Sequence, residues 1–196
     1  MIDTVRNRRM GQDDQKQRST VIDRRSFLRL GFGAFCCLGS TAAFARTRSA
    51  ARMLSLDNIH TGEALRATYW ERGRYLPDAL GEIDRLLRDY RTDETISMDT
   101  RLLDLLHALR FAVGSNRPYE VISGYRSPST NAALLDEGHQ VAAASFHTVG
   151  MAIDIRLPDR SSAAVHRAAL RLRQGGVGYY PHPGFVHVDV GPVRHW

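Results

Sequence analysis

Residues 145–154 read Ser-Phe-His-Thr-Val-Gly-Met-Ala-Ile-Asp, and residues 185–189 read Phe-Val-His-Val-Asp. These stretches supply two imidazoles, from His147 and His187, and the carboxylate of Asp154. A catalytic zinc takes three such protein ligands and leaves its fourth position to water, whereas four protein ligands are typical of a structural site. The spacing therefore predicts a catalytic zinc, although the same donor set also accepts other first-row metals.

The same stretches predict strands. Apolar and polar residues alternate from Met151 to Arg156, which is the period of a half-buried strand, so Asp154 is expected to face away from the packed apolar side chains. Gly150 allows the chain to turn into this strand from the loop that carries His147.

The last segments, 177–180 and 185–190, predict an antiparallel pair around a Pro-His-Pro-Gly turn. In the second of them, His187 and Asp189 project to the same face, about 6 to 7 Å apart along the strand.

The rest of the chain after residue 46 has no repeat and no long linker, so it predicts one α+β domain. Leucine and isoleucine residues recur at helical spacing in two segments, which predicts two helices. Two other segments start with Pro or Ser residues that are typical of helix N-termini, which predicts two more helices. The predicted helices are 77–90, 99–113, 128–137 and 161–173, and the further predicted strands are 53–60, 65–70 and 119–123.

The positive charge is concentrated at the N-terminus. Residues 1–45 hold 8 Lys and Arg against 4 Asp and Glu, which accounts for +4 of the total charge of +6. The remaining +2 gives no reason to expect nucleic-acid binding, which usually needs a basic patch on the domain.

The N-terminal segment predicts an export signal. Asp-Arg-Arg-Ser-Phe-Leu-Arg at 23–29 is a twin-arginine pattern, and the apolar run 30–44 leads to a small-x-small cleavage site ending at Ala45. We expect transport by the twin-arginine translocation machinery, cleavage after Ala45 and a periplasmic domain of residues 46–196. The run is interrupted by glycines and shorter than the roughly 20 apolar residues of a membrane anchor, which is the alternative. Both cysteines lie within it, so the exported domain would contain no disulfide.

The motifs together resemble a known group of enzymes. Residues 52–196 are similar to the zinc peptidases of the D-alanyl-D-alanine carboxypeptidase and VanX/VanY group, which share a His-x6-Asp motif and a second, downstream His. More narrowly, they resemble the MepK (YcbK)-type murein endopeptidases. The motifs that carry this resemblance are Ser-Gly-Tyr-Arg-Ser at 123–127, the stretch 145–154, Gly-Gly-Val-Gly-Tyr-Tyr at 175–180, Phe-Val-His-Val-Asp at 185–189 and Gly-Pro-Val-Arg-His-Trp at 191–196.

The resemblance implies a single α+β domain of the hedgehog and D-alanyl-D-alanine peptidase type, with a central antiparallel sheet and flanking helices. It implies a zinc ion held by His147, Asp154 and His187, and hydrolysis of a peptide bond in the peptidoglycan stem, with meso-diaminopimelate cross-links as the target. Arg126, at a strand-to-helix turn, is then expected to donate to the scissile carbonyl or to a substrate carboxylate. A structural pairing with an acid is the alternative for Arg126.

The sequence departs from the wider group at one position. Many members carry an acid three residues before the downstream ligand His, and here that position is Gly184. Asp189 is the first candidate to replace it as general base, because it shares a strand face with His187, and His182 is the second. Alternatively, Asp189 orients a ligand histidine, as carboxylates commonly do beside metal-bound imidazoles.

The sequence leaves two other functions open and argues against two more. A D,D- or L,D-carboxypeptidase is the main alternative within the enzyme class, and a non-catalytic, zinc-containing peptidoglycan-binding scaffold is the alternative outside it. An iron oxygenase triad fails because only seven residues follow Asp189, too few for the distant last histidine. No Gly-x-Ser-x-Gly motif supports a serine hydrolase.

Overall fold

The computed structural model describes residues 51–139 and 142–196. The predicted twin-arginine signal, its cleavage site and the two cysteines lie outside these residues. Within the described part of the chain, no helix has both the length and the hydrophobicity needed to cross a membrane.

Eight strands form one sheet in the order β3-β2-β1-β4-β5-β7-β6-β8. The β1–β4 and β6–β8 pairs are parallel and the other pairs are antiparallel, so the sheet is mixed, whereas the expectation was an antiparallel one. The strands are β1 Arg52–Asn58, β2 Ala64–Glu71, β3 Arg74–Tyr75, β4 Tyr119–Ser123, β5 Ala152–Arg156, β6 Gly176–Tyr180, β7 Phe185–Asp189 and β8 Arg194–His195.

The parallel β1–β4 pair follows from the connection between these strands. A parallel partner requires a crossover, and the chain between β1 and β4 supplies one that contains two helices. The helices are α1 Pro77–Leu86, α2 Thr100–Val113, α3 Pro128–Asp136 and α4 Ser162–Leu172, and a short 3₁₀ helix covers Phe146–Val149. The expected α+β fold is confirmed, with four helices flanking the sheet.

Three of the four helices in the described part of the chain begin at a side-chain cap, supplied by Asp99, Ser127 and Ser161. Ser127 accepts a hydrogen bond from the Thr130 N–H at the start of α3, which satisfies a backbone donor that has no partner within the helix. Helix α1 ends at Leu86, four residues before the predicted end, because a tertiary contact interrupts it. The Leu87 carbonyl accepts a hydrogen bond from the Tyr125 N–H at 2.7 Å instead of continuing the helix.

The two faces of the central strands have different surroundings. Ile153 and Ile155 of β5, with Val186 and Val188 of β7, are fully buried in a single core that includes apolar residues of α1, α2 and α4. Successive side chains of a strand point to opposite faces. The polar residues that alternate with these apolar ones, Asp154 among them, therefore lie on the other face of the sheet.

Candidate metal centre and active site

The register of β5 and β7 brings two of the predicted ligands together. Asp154 lies directly opposite His187 in this antiparallel ladder. Directly paired residues have Cβ atoms roughly 4.5–5.5 Å apart on one face of the sheet, so both side chains meet there. The Asp154 Oδ1 atom is 2.8 Å from His187 Nδ1.

The third predicted ligand comes from the 3₁₀ helix Phe146–Val149. Ser145 accepts the His147 N–H at the start of this helix, and Gly150 ends it in the left-handed region with φ of 70°. Gly150 therefore makes the predicted turn into β5. His147 is buried, with Nε2 3.3 Å from Asp154 Oδ1 and 3.2 Å from His187 Nδ1.

The hydrogen bonds on the far sides of the two rings determine what converges at the centre. His147 Nδ1 is 2.7 Å from the Gly124 carbonyl oxygen, which can only accept, so Nδ1 carries the proton. His187 Nε2 is 3.2 Å from an Asp189 carboxylate oxygen and likewise donates. Each ring therefore turns a lone pair toward Asp154 Oδ1.

Three electron-pair donors thus face one another in a buried place. One ligand atom from each of His147, Asp154 and His187 lies within 4.8 Å of the others. Such an arrangement is repulsive unless a cation lies between the donors, and two imidazoles with one carboxylate suit zinc. The residues present therefore fit the expected metal.

Asp154 is held in its ionised form. Burial raises the pKa of its carboxyl, but in the metal-free site His147 and His187, when protonated on the nitrogens that face Asp154, outweigh burial and hold that pKa well below its usual range. Metal binding requires the carboxylate, so this environment favours the state that a cation needs.

Asp189 is fully buried and surrounded by donors. Its oxygens accept the backbone N–H groups of Gly176 and Gly191, at 3.0 and 2.8 Å, and the guanidinium of Arg194 at 2.7 Å. Burial raises the pKa of the Asp189 carboxyl, and the hydrogen bonds from His187 and these groups lower it to a greater extent. Asp189 contacts the His187 nitrogen that points away from Asp154.

Trp196 closes the other side of His187. Its ring centroid is 5.2 Å from that of His187, and its indole N–H donates to the Tyr180 hydroxyl at 2.9 Å. Gly178 lies opposite His187 in the β6–β7 ladder, and a Cβ there would be 2.7 Å from the indole. The absent side chain of Gly178 therefore leaves the space that Trp196 occupies.

Arg126 lies next to the cluster, in the turn between β4 and α3. The residue is only 7% exposed, and a terminal nitrogen is 3.8 Å from Asp154 Oδ2. The guanidinium also donates to Asn131 and Ser123 at 3.3 and 3.4 Å, but Nε has no partner among the described residues. Burial lowers the pKa of Arg126, while Asp154 acts in the opposite direction.

These side chains border a cavity of about 660 Å³. Its described lining contains one carboxylate side chain, that of Asp154, and three arginines. The lining residues are His60, Tyr90, Arg91, Ile122, Ser123, Arg126, Leu134, His139, Ala142, Ala144, Ser145, Phe146, His147, Asp154, Tyr180, Pro183, Phe185, His187, Arg194 and Trp196.

The two candidates for the general base, His182 and Asp189, are not among the residues that line this cavity. His182 is exposed on the turn between β6 and β7 and is not among the lining residues, so the structure does not bring it over the cluster. Gly184, the position of the missing acid, lies in the same turn. Asp189 is present in the centre but contacts the outer nitrogen of His187.

Sequence reasoning missed two kinds of residue in the cavity. Arg194 holds Asp189 in place, and the turn containing Tyr90 and Arg91 forms part of the wall. The only sequence signal for Arg194 was its position within the Gly-Pro-Val-Arg-His-Trp motif. Tyr90 and Arg91 carried none, because Tyr90 was the last residue of a predicted helix and Arg91 followed it.

Comparison with known proteins assigns the chain to a family. The family model described as peptidoglycan L,D-endopeptidase MepK matches residues 46–196. Peptidoglycan L,D-endopeptidase MepK of Escherichia coli strain K12 is 40% identical over 176 residues, which cover 89% of this chain and 97% of that protein. The probable peptidoglycan L,D-endopeptidase MepK of Haemophilus influenzae is 42% identical over 146 residues, or 74% of this chain and 78% of that protein. No solved structure matches significantly. The chain belongs to the MepK family of peptidases.

Proposed function

We propose that this protein is a zinc-dependent murein endopeptidase that hydrolyses peptide cross-links of peptidoglycan, with meso-diaminopimelate cross-links as its substrate. The observation that carries the proposal is the convergence of lone pairs from His147, Asp154 and His187 on one point at the wall of a cavity. Membership of a family whose named relatives are peptidoglycan L,D-endopeptidases supports the substrate class.

His147 Nε2, Asp154 Oδ1 and His187 Nδ1 would hold the zinc ion. When bound, zinc would supply Lewis-acid polarisation of the scissile carbonyl and acidify the attacking water. The remaining tasks, which are orienting the ligands and binding the substrate, belong to side chains around the cluster.

Arg126 is proposed to bind the substrate at the reacting bond. Its terminal nitrogens make only long hydrogen bonds, at 3.3 and 3.4 Å, so they keep donor capacity for a substrate oxygen in the cavity that Arg126 lines. The fixed guanidinium already lies beside Asp154, so it requires little reorganisation to stabilise negative charge on a carbonyl oxygen. Its 3.8 Å separation from Asp154 is too long for a structural hydrogen bond.

Asp189 is proposed to position His187. The carboxylate is saturated by two backbone N–H groups, Arg194 and the imidazole, which leaves it poorly placed to accept a proton from water. Its contact with Nε2 instead orients the ring and keeps Nδ1 available as a ligand. Of the roles considered for Asp189, the geometry favours this one over that of general base.

The proposal places the enzyme in the periplasm. The twin-arginine machinery would export it, with cleavage of the signal after Ala45, and the domain from residue 46 would then meet peptidoglycan stem peptides. Its small excess charge gives no basis for a nucleic-acid partner.

The test is digestion of purified muropeptide dimers followed by mass analysis. The zinc-loaded protein, a chelated sample and the His147→Ala variant are compared. We expect conversion of dimers to monomers with zinc only. Release of terminal D-Ala without loss of dimers would instead identify a carboxypeptidase.

A zinc-containing scaffold that binds peptidoglycan without cleaving it is the second candidate. It is favoured by Gly184 and by the lack of a second carboxylate in the described cavity lining. A scaffold predicts that folded, zinc-loaded protein binds dimers and leaves them intact. Unfolding on chelation would further indicate that the zinc is structural.

A further inference from the structure

The three arginines of the cavity differ in their partners. Arg194 is 2.7 Å from a carboxylate oxygen of Asp189, and Arg126 lies 3.8 Å from Asp154. Arg91 is exposed and makes no salt bridge with any residue that the structure describes. It therefore brings to the cavity wall a positive charge that no described carboxylate neutralises.

A nearby arginine shows what structural pairing looks like here. Arg88 donates to Glu63 at 2.6 Å and to Asp93 at 2.5 Å, so its charge is balanced within the fold. Arg91 is three residues further on, in the same turn region, yet its guanidinium does not join this network. The contrast indicates that Arg91 is not part of the ion pairs that hold the turn.

The Arg91 side chain is nevertheless held in place. Its guanidinium carbon lies 4.3 Å from the centre of the Tyr90 ring. Tyr90 in turn stacks on His60, with centroids 3.9 Å apart and planes 10° from parallel, and His60 Nε2 is 2.9 Å from the Ile122 carbonyl oxygen. A cation stacked on aromatic rings loses less freedom when it binds a ligand than a free side chain would.

The backbone beneath Arg91 is tied to the metal centre's surroundings. Asp89 is 1% exposed, and its two oxygens accept the Arg91 N–H at 3.0 Å and the Ser127 N–H at 2.8 Å. Because Ser127 follows Arg126, one buried carboxylate holds both arginine-bearing segments. The distance between the backbone positions of Arg91 and Arg126 is thereby restricted.

We propose that Arg91 binds a free carboxylate of the peptidoglycan stem peptide and selects substrates that carry it. This inference rests on the proposed function and adds to it a subsite for negative charge. Guanidinium and carboxylate pair through two parallel hydrogen bonds, so the subsite would distinguish an acid from its amide. Diaminopimelate is a diacid whose second carboxylate stays free beside a cross-link, which makes it the chemically fitting ligand.

The test uses two muropeptide dimers that differ only in this group, one with the free diaminopimelate carboxylate and one with the carboxamide. Hydrolysis of both by the zinc-loaded wild-type protein, Arg91→Gln and Arg91→Lys is followed by steady-state kinetics. Arg171→Gln, an exposed arginine of α4 outside the cavity lining, is the matched control.

We expect the Arg91→Gln variant to raise KM for the acid by about ten- to a hundredfold, with kcat changed by less than roughly threefold. KM for the amide should stay near the wild-type value, and Arg91→Lys should recover part of the preference. Equal effects on acid and amide, or no effect on either, would overturn the inference.

Binding measured by calorimetry separates failure of this inference from failure of the proposed function. Both dimers are titrated into His147→Ala and into His147→Ala combined with Arg91→Gln, so no turnover occurs. A preference for the acid that disappears with Arg91 supports the subsite even if the wild-type protein hydrolyses neither dimer. Equal affinities for acid and amide reject it.

Discussion

The Asp154 carboxylate and the His187 imidazole face each other across the β5–β7 ladder, with Oδ1 2.8 Å from Nδ1. Because strand side chains alternate, a slip of one residue in this register would move one of the two groups to the core face. The apolar residues on either side of each, such as Ile153 and Val188, oppose that slip because they are fully buried. Core packing therefore fixes the position of the proposed ligands.

Replacing Asp189 by Asn should weaken zinc binding without removing a ligand. The amide keeps the shape of the carboxylate but not its charge, so it orients His187 less firmly. We expect zinc affinity to fall about ten- to a hundredfold. Competition with a fluorescent chelator measures this, and Asp136→Asn, an exposed position at the end of α3, serves as control. Unchanged affinity would argue against a positioning role.

Replacing Arg126 by Lys should reduce turnover while zinc stays bound. Lysine keeps a positive charge but lacks the planar fork of donors, one of whose terminal nitrogens lies 3.8 Å from Asp154 Oδ2. We expect kcat to fall about 10²- to 10³-fold, the usual cost of losing a donor to the reacting oxygen. Metal content and kcat are measured together, with exposed Arg117→Lys as control. A change in KM alone would place Arg126 in substrate binding only.

Replacing Gly178 by Ala should displace Trp196. The new methyl group would lie 2.7 Å from the indole, so the ring must move away from His187. We expect a loss of about 1–3 kcal/mol in the free energy of unfolding and a red shift in tryptophan fluorescence. Gly81→Ala is the matched control, because nothing lies within 4 Å of its Cβ position inside α1. Equal stability of the two variants would contradict this packing account.

The acid sensitivity of folding should depend on Asp104, which is remote from the cavity. It accepts hydrogen bonds from Tyr69 and Tyr75, at 2.9 and 2.8 Å, and pairs with Arg52 at 2.6 Å. Burial raises the pKa of Asp104, but Arg52 and the two hydroxyls lower it further than burial raises it. A carboxyl with a depressed pKa in the folded state stabilises the fold above its unfolded pKa of about 3.9 and loses this contribution as pH falls through the folded value.

Urea unfolding of wild-type protein and Asp104→Asn across this pH range tests the point. The difference in their free energies of unfolding should be largest near neutral pH and should shrink once the pH falls below about 4. Asp136→Asn should follow the wild-type curve. A difference that stays constant with pH would show that Asp104 stabilises the fold through shape rather than charge.

The grouping of His147, Asp154 and His187 was predictable because it depends on local patterns. Alternation from Met151 to Arg156 placed Asp154 on the polar face, and the structure has it there, buried and opposite His187. The Gly150 turn was predictable for the same reason, because its left-handed backbone is a local property.

Other parts of the site depend on contacts between distant segments. The spacing of His187 and Asp189 in the sequence does not show which ring nitrogen contacts Asp189. The orientation of the ring among β5, β6 and β7 decides it. The end of α1 depends on Tyr125, whose N–H captures the Leu87 carbonyl. Helical periodicity predicted a longer helix. Because the contact with Tyr125 turns the chain at this point, Arg91 reaches the cavity.

The most direct test of the central claim is titration of zinc into metal-free protein while the cleavage of muropeptide dimers is followed. The account predicts that activity rises in proportion to zinc up to one equivalent, and that His147→Ala stays inactive at every concentration. Full activity in the metal-free protein, or stoichiometric zinc binding by folded protein without any cleavage of dimers, would contradict it.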